Sequence, residues 1–214
     1  MIVRTTLVFV FATPMEADPF VAMVNAKQTA KEPWPIYQAR IADQPSIIIV
    51  TGMGMESART GVEFIIDNYA VNTIFNCGVA GSLKDDFVVG DIVNVSLAWI
   101  YQDGRIHEDA CRLFTHPYSL EGYADGVLLT VDQPVFDQYQ KQSLSNVAQL
   151  VDMEGGMVAR LCEQHSISCQ LIKIISDSAI ERNQLKINLC NVSEKLADRI
   201  ATDITCLFSQ EMTA

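Results

Sequence analysis

Residues 47–77 read IIIVTGMGMESARTGVEFIIDNYAVNTIFNC, and this stretch decides the fold. It opens on the apolar run 47–50, passes a glycine-rich turn and continues into residues 56–69. One helix face is predicted there by apolar side chains at spacings of four, three and four, which are Ala58, Val62, Ile65 and Tyr69. A second apolar run follows at 73–77. Strands that alternate with helices in this way predict an α/β architecture.

Apolar runs of strand length recur outside this stretch. They lie at 7–11, 36–41, 92–95, 127–131, 148–151 and 171–175. Several are continuous rather than alternating, which is typical of a sheet covered on both faces. We expect a hairpin around residues 43–45, and therefore a mixed sheet. The predicted fold is a single three-layer α/β/α domain spanning residues 1–214.

Helical spacing returns twice in the second half of the chain, in residues 154–164 and 192–209. Asn191 with Glu194 three residues later forms a capping-box pattern, which predicts that the last helix begins there. The N-terminal apolar run is β-branched and aromatic and continues directly into Pro14, so it indicates a buried first strand rather than a signal peptide.

Composition excludes several classes of function. The net charge of −11 argues against a nucleic-acid binder, which needs a basic face, and against binding to an anionic membrane surface. No apolar run reaches the ~18 residues that span a bilayer. The six cysteines and three histidines show neither a CxxC pair nor metal-ligand spacing. We therefore expect reduced thiols, a cytoplasmic location and no metal.

Carboxylates or glycine-rich turns follow five of the predicted strands. The five segments are Thr13-Pro14-Met15-Glu16, Thr51-Gly52-Met53-Gly54, Gly78-Val79-Ala80-Gly81, Asp152-Met153-Glu154 and Ser176-Asp177. Taken singly, each has a structural explanation as a first-turn carboxylate, a tight turn or an N-cap. Ligands of α/β sheets bind beyond the carboxyl ends of the strands. Five such segments at one rim therefore predict a binding site.

Together with Val89-Gly90-Asp91-Ile92-Val93, these segments resemble the nucleoside phosphorylase/nucleosidase superfamily. Within it, the chain is most similar to the 5′-methylthioadenosine/S-adenosylhomocysteine nucleosidases. The resemblance implies an enzyme of methionine salvage that breaks the bond between a purine and ribose without a cofactor. It also implies a homodimer whose site borrows apolar side chains from the neighbour. Candidates for that surface are Trp99, Ile100, Tyr101, Phe114 and Tyr118.

The resemblance further implies a role for each site residue. Asp177 would protonate the departing purine, with Ser176 holding its carboxyl group, and Glu16 would orient and deprotonate the attacking water. Glu154 would bind the ribose hydroxyls, with Met153 packed against the sugar. The other substrate-binding residues implied are Gly78, Val79, Ala80, Gly81 and Phe136. This set suits a transition state with positive charge on the sugar and negative charge on the base. Three carboxylates in one site should also raise the pKa of at least one of them.

The nucleophile is expected to be water rather than phosphate. Phosphate needs facing cations, usually arginine. Asn76 stands where phosphorylases of this superfamily carry such an arginine, and residues 12–20 contain no basic side chain. A phosphorylase that recruits Arg59 or Lys173 remains the alternative among enzymes.

The chain also departs from the nucleosidase pattern. Val79 replaces a serine, Lys173 replaces an arginine, and Gly155-Gly156 replaces Ala-Thr after the Met-Glu pair. The base-binding segment before that pair, residues 130–136, differs as well. These changes leave futalosine- and hopanoid-type nucleosidases open as alternatives. A degenerate member that binds nucleosides without turnover is the alternative outside enzymes.

Overall fold

The computed structural model describes residues 6–107, 111–112, 122–135, 137–180 and 182–210, with the backbone alone at 111–112, 182–186 and 209–210. Eleven strands lie in these residues. They are β1 Thr6–Phe11, β2 Lys27–Ala30, β3 Ile36–Ile41, β4 Gln44–Val50, β5 Val71–Ser82, β6 Ile92–Gln102, β7 Arg105–Ile106, β8 Cys111–Arg112, β9 Ala124–Val131, β10 Leu150–Asp152 and β11 Ser168–Asp177. The five helices are α1 Pro14–Met23, α2 Met55–Asn68, α3 Gln138–Leu144, α4 Gly155–Gln164 and α5 Arg182–Gln210.

The strands form one mixed sheet in the order β10-β9-β6-β11-β5-β1-β4-β3-β2, with β7 and β8 paired to β6. Strand β1 runs parallel to β4 and β5, and β11 runs parallel to β5. Strands β3 and β4 form the predicted hairpin, whose turn places Ala42 and Asp43 at φ 44° and 63°. Strand β10 also pairs with the end of β5. Five strands therefore close into a ring, in which Gly81 of β5 is paired with Val151 of the antiparallel β10 and with Asp177 of the parallel β11.

Helices cover both faces of the sheet, as predicted. On one face, α2 and α4 contribute Ala58, Val62, Ile65 and Val158 to an apolar cluster. On the other, α1 and α5 contribute Phe20, Leu196, Ile200 and Ile204 to a second cluster. Burying one such side chain contributes about 1.5–3 kcal/mol relative to leaving it exposed. The three-layer mixed-sheet prediction is confirmed, whereas the extent of the domain to residues 1 and 214 stays a prediction.

Two local predictions are wrong. Strand β5 does not end at Cys77, because pairing with β11 keeps residues 78–80 extended, and Gly81 and Ser82 pair with β10. The last helix begins at Arg182 rather than at the Asn191 capping box. Residues 182–190 contain no glycine or proline that would stop the helix before Asn191. No helix in the described part of the chain has the length and apolar composition to cross a membrane.

Candidate active site

Glu16 is fixed at the start of α1 by a capping box. Thr13 is the N-cap and Pro14 follows it, and both residue types favour a helix start. Oε2 of Glu16 accepts hydrogen bonds from the Thr13 backbone N–H at 2.9 Å and from the Thr13 hydroxyl at 2.7 Å. The side chain is buried, and Oε1 accepts a hydrogen bond from the Val79 backbone N–H at 3.0 Å. The carboxylate therefore joins the first turn of α1 to β5.

Gly78 makes this approach possible. A Cβ atom at position 78 would lie 2.7 Å from Oε1 of Glu16, too close for any substitution without movement of the carboxylate. It would also lie 3.9 Å from Nζ of Lys173, so the lysine ammonium faces the same space. Backbone from β5 thus forms the floor under the Glu16 carboxylate.

Glu154 lies between β10 and α4, with its side chain buried. Its Oε1 accepts a hydrogen bond from the Gly54 backbone N–H at 2.6 Å, which joins the start of α4 to the turn before α2. The pKa of Glu154 is raised to about 7, chiefly by burial and next by the charge of Asp152, with a smaller contribution from Glu16. Lys173 and the hydrogen bond from the Gly54 N–H act in the opposite direction. The expectation of a raised carboxyl pKa is confirmed, although burial rather than repulsion is its largest cause.

Lys173 and Asp152 form an ion pair beneath these carboxylates. Nζ of Lys173 lies 2.8 Å from Oδ2 of Asp152, and both side chains are buried. Burial disfavours the ammonium form, yet the charges of Asp152, Glu154 and Glu16 outweigh it and hold the pKa of Lys173 above its ordinary value. Lys173 is one of the positions where the chain departs from the family pattern, whereas Asp152 was not predicted as a site residue. The available signal was its carboxylate at the end of a short apolar run.

Asp177 ends β11 and is buried beside Ser176. Its Oδ2 accepts a hydrogen bond from the Ser176 hydroxyl at 2.7 Å, and its Oδ1 accepts one from the Ala179 backbone N–H at 2.7 Å. Helix α5 begins five residues later, so Asp177 is not the N-cap of that helix. A Cβ at Gly81 would lie 2.8 Å from Cα of Ala179, so Gly81 lets the segment after Asp177 approach β5.

The remaining predicted site residues that the structure describes have apolar side chains or none. Met153 and Val79 are half-buried and pack against apolar clusters, and Ala80 is buried in the core. Phe136 lies outside the described residues, as do Phe114 and Tyr118. Among the described residues, no three His, Cys, Asp or Glu side chains are grouped so that they could hold a metal ion.

The cations considered for phosphate are both engaged. Arg59 lies on the outer side of α2, where it pairs with Glu56 at 2.6 Å and Glu63 at 2.7 Å. Ala58 and Val62 of the same helix are buried, whereas the Arg59 side chain is partly exposed. Lys173 pairs with Asp152 as described above. Asn76 is buried and donates its side-chain N–H to the Val10 carbonyl.

The chain is similar in sequence to a known protein family and to named members of it. A family model described as "Phosphorylase superfamily" matches residues 6–121 and 119–204. The 5′-methylthioadenosine/S-adenosylhomocysteine nucleosidase of Buchnera aphidicola subsp. Acyrthosiphon pisum (strain Tuc7) is 30% identical over 172 residues, which cover 68% of this chain and 73% of that protein. The nucleosidase of the same description from Shewanella sp. (strain MR-7) is 23% identical over 190 residues, covering 78% and 80%.

Solved structures share the fold. The 5′-methylthioadenosine nucleosidase of Arabidopsis thaliana in apo form superposes with a TM-score of 0.84 at 24% identity, covering 95% of this chain and 96% of that one. A futalosine hydrolase mutant of Helicobacter pylori superposes with a TM-score of 0.83 at 17% identity, covering 95% and 99%. At these identities the likeness shows the fold alone.

Proposed function

The chain belongs to the phosphorylase superfamily, and we propose that it is a purine nucleosidase that cleaves the N-glycosidic bond with water as nucleophile. The proposed substrates are nucleosides of the 5′-methylthioadenosine/S-adenosylhomocysteine type, because the relatives described above carry that name. One observation carries the proposal: three buried carboxylates lie around the last residues of β5. Glu16 accepts a hydrogen bond from the Val79 N–H, and Asp177 is paired with Gly81 two residues further on. The charges of Glu154 and Glu16 both act on Lys173, which is paired with Gly78.

We assign the proton transfers to Asp177 and Glu16. As the bond to the purine breaks, electrons move onto the base, and Asp177 donates a proton to it. Its contacts with Ser176 and Ala179 fix the carboxyl group for that transfer. Glu16 takes a proton from the attacking water, and its contacts with Thr13 and Val79 hold its orientation. General acid–base catalysis of this kind contributes about 10²–10⁴-fold.

We assign ribose binding to Glu154. Its ionised carboxylate accepts hydrogen bonds from sugar hydroxyls, and the contact with the Gly54 N–H supports its position. Negative charge near the sugar also stabilises the positive charge that develops there in the transition state. Met153 is half-buried next to Glu154 and is suited to pack against the sugar. The backbone of residues 78–81 completes the proposed binding surface, and the family resemblance adds Phe136, which lies outside the described residues.

The charges of the site support water over phosphate. A phosphate dianion beside Glu16 and Glu154 would meet repulsion, and its desolvation would need facing cations. Arg59 is engaged on the outer face of α2, and Lys173 is already paired with Asp152. Water is neutral and needs only the Glu16 carboxylate to orient it.

We further propose a cytoplasmic homodimer that takes part in methionine salvage. The free thiols of Cys77, Cys162 and Cys169 are buried and Cys190 is exposed, which suits a reducing compartment. The dimer rests on the family resemblance. Of the aromatic stretch on β6, Trp99 and Tyr101 are half-buried and available for such an interface, whereas Ile100 is buried within this chain.

Product analysis tests the proposed reaction. The protein is incubated with methylthioadenosine, adenosine and inosine, with and without phosphate, and the base and sugar products are separated. We expect free adenine and free 5′-methylthioribose at a rate that phosphate does not change. A phosphate-dependent rate with a ribose 1-phosphate product would make the protein a phosphorylase. Tight binding of a stable nucleoside analogue without turnover would make it a degenerate binding member.

A further inference from the structure

Asp152 is the centre of a buried hydrogen-bond network that the proposed catalytic roles do not use. Its Oδ1 accepts a hydrogen bond from the Thr130 hydroxyl at 2.5 Å. Its Oδ2 accepts one from the Gly155 backbone N–H at 2.8 Å and pairs with Nζ of Lys173 at 2.8 Å. The Thr130 oxygen in turn accepts a hydrogen bond from the Gly156 N–H at 2.6 Å. All three side chains are buried, so water does not compete for these contacts.

This network caps α4 in place of Glu154. A helix begins with unsatisfied N–H groups, and the residue before it usually supplies a side chain to them. Glu154 holds that position but makes no side-chain cap. The N–H groups of Gly155 and Gly156 are instead satisfied by Asp152 and Thr130. The Glu154 carboxylate is therefore left to contact Gly54 and the site.

The Gly155-Gly156 pair fits this arrangement. A Cβ at position 155 would lie 2.8 Å from Oδ2 of Asp152, and one at position 156 would lie 3.0 Å from the Thr130 oxygen. Larger residues would push the start of α4 away from its two acceptors. The glycines at positions 155 and 156 thus go together with the close contact of α4 with Asp152 and Thr130.

The Asp152 carboxylate also determines which group pairs with the Lys173 ammonium. Glu154, Glu16 and Asp152 all act on the lysine, and the ion pair is made with Asp152. The ammonium and the Glu16 carboxylate both face the space above Gly78. Without the charge of Asp152, the lysine would be left with Glu16 and Glu154 as its partners. Pairing there would occupy the oxygens that the reaction needs.

We infer that Asp152, held by Thr130, is a positioning residue that anchors Lys173 and the first turn of α4, so that Glu16 and Glu154 keep acceptor oxygens for water and ribose. The inference rests on the proposed function for the identity of the reaction. The network itself is a property of the ligand-free protein, and it can be tested without turnover.

Asp152→Asn tests this inference, because it keeps the shape of the side chain and removes its charge. Asp203→Asn is the matched control, since Asp203 pairs with Arg199 at 2.7 Å on α5, outside the site. The first readout is the pKa of Glu154 in the protein without substrate, measured by NMR of its side-chain carboxyl group as the pH is varied. The charged groups that act on Glu154 are Asp152, Lys173 and Glu16. Removing the negative neighbour and releasing Lys173 should lower that pKa in Asp152→Asn and leave it unchanged in Asp203→Asn.

The second readout is steady-state base release. We expect Asp152→Asn to lower kcat/KM by about 10–100-fold, by analogy with the loss seen when the groups that orient metal-binding side chains are removed. Thr130→Val should also lower kcat/KM. Thr130→Ser should keep kcat/KM near the wild-type value, because serine keeps the hydroxyl.

An unchanged Glu154 titration in folded Asp152→Asn would overturn the inference, whatever the activity. If Asp152→Asn does not fold, the threonine pair decides: wild-type kcat/KM in Thr130→Val would overturn it, and loss with rescue by serine would support it. A wild-type protein without base release would overturn the proposed function, and the Glu154 titration would still decide this inference.

Discussion

The carboxylate of Glu16 accepts a hydrogen bond from the Val79 backbone N–H at 3.0 Å, across 63 residues of sequence. This contact joins the first turn of α1 to β5, where the attacking water is proposed to lie. Because the contact uses the backbone of position 79, it does not depend on the side chain there. The replacement of the family's serine by Val79 is therefore compatible with a correctly placed Glu16.

The first prediction follows from this contact. Glu16→Gln keeps an oxygen that accepts the Val79 N–H but removes the base, so kcat should fall by about 10²–10⁴-fold while KM changes little. Initial rates of adenine release over a range of methylthioadenosine concentrations measure both constants. Glu63→Gln, on the outer face of α2, is the control and should behave as wild type. Normal turnover by Glu16→Gln would remove Glu16 from the mechanism.

The second prediction concerns Gly78. Gly78→Ala places a Cβ 2.7 Å from Oε1 of Glu16, so the carboxylate must move. We expect a fall in kcat that approaches that of Glu16→Gln, whereas Val79→Ser should stay within a factor of a few of wild type because it leaves the backbone contact in place. Rates equal to wild type in Gly78→Ala would show that the position of Glu16 does not matter.

The third prediction is a pH dependence set by Glu154, whose pKa is raised to about 7. The ionised form accepts the ribose hydroxyls, and it is populated above that pKa. The ionisation of Glu154 should therefore make kcat/KM rise as the pH increases through about 7. In Glu154→Gln the rise should disappear, with both a higher KM and a lower kcat, since ribose contacts exist in the ground state and the transition state. A rise that persists in Glu154→Gln would assign it to another group.

The sequence predicted the sheet, its two covering layers and the carboxylates at its rim, because hydrophobic periodicity is local and strand ends follow from it. It did not predict that β5 continues through residues 78–82, since a glycine-rich segment has the composition of a turn and only pairing with β11 and β10 keeps it extended. Asp152 and Thr130 were missed for a related reason. Their contact joins two strands 22 residues apart, and the contact of Glu154 with Gly54 spans 100 residues.

The fourth prediction concerns Asp177, the proposed acid. Asp177→Asn keeps an oxygen that can accept a hydrogen bond from Ser176 or Ala179, so the segment after β11 should remain in place. It cannot protonate the purine. A stable nucleoside analogue should therefore bind this variant nearly as tightly as the wild type, which calorimetry can measure.

The decisive measurement is the rate of adenine release from methylthioadenosine in a single turnover, compared between wild type and Asp177→Asn. It tests whether the protein is a hydrolase in which Asp177 protonates the purine. Saturating enzyme removes differences in substrate binding, so the rate reports the bond-breaking step. We expect rapid adenine release by the wild type without phosphate, and a rate lower by about 10²–10⁴-fold in Asp177→Asn. Equal rates in the two proteins, or no release by the wild type, would contradict this expectation.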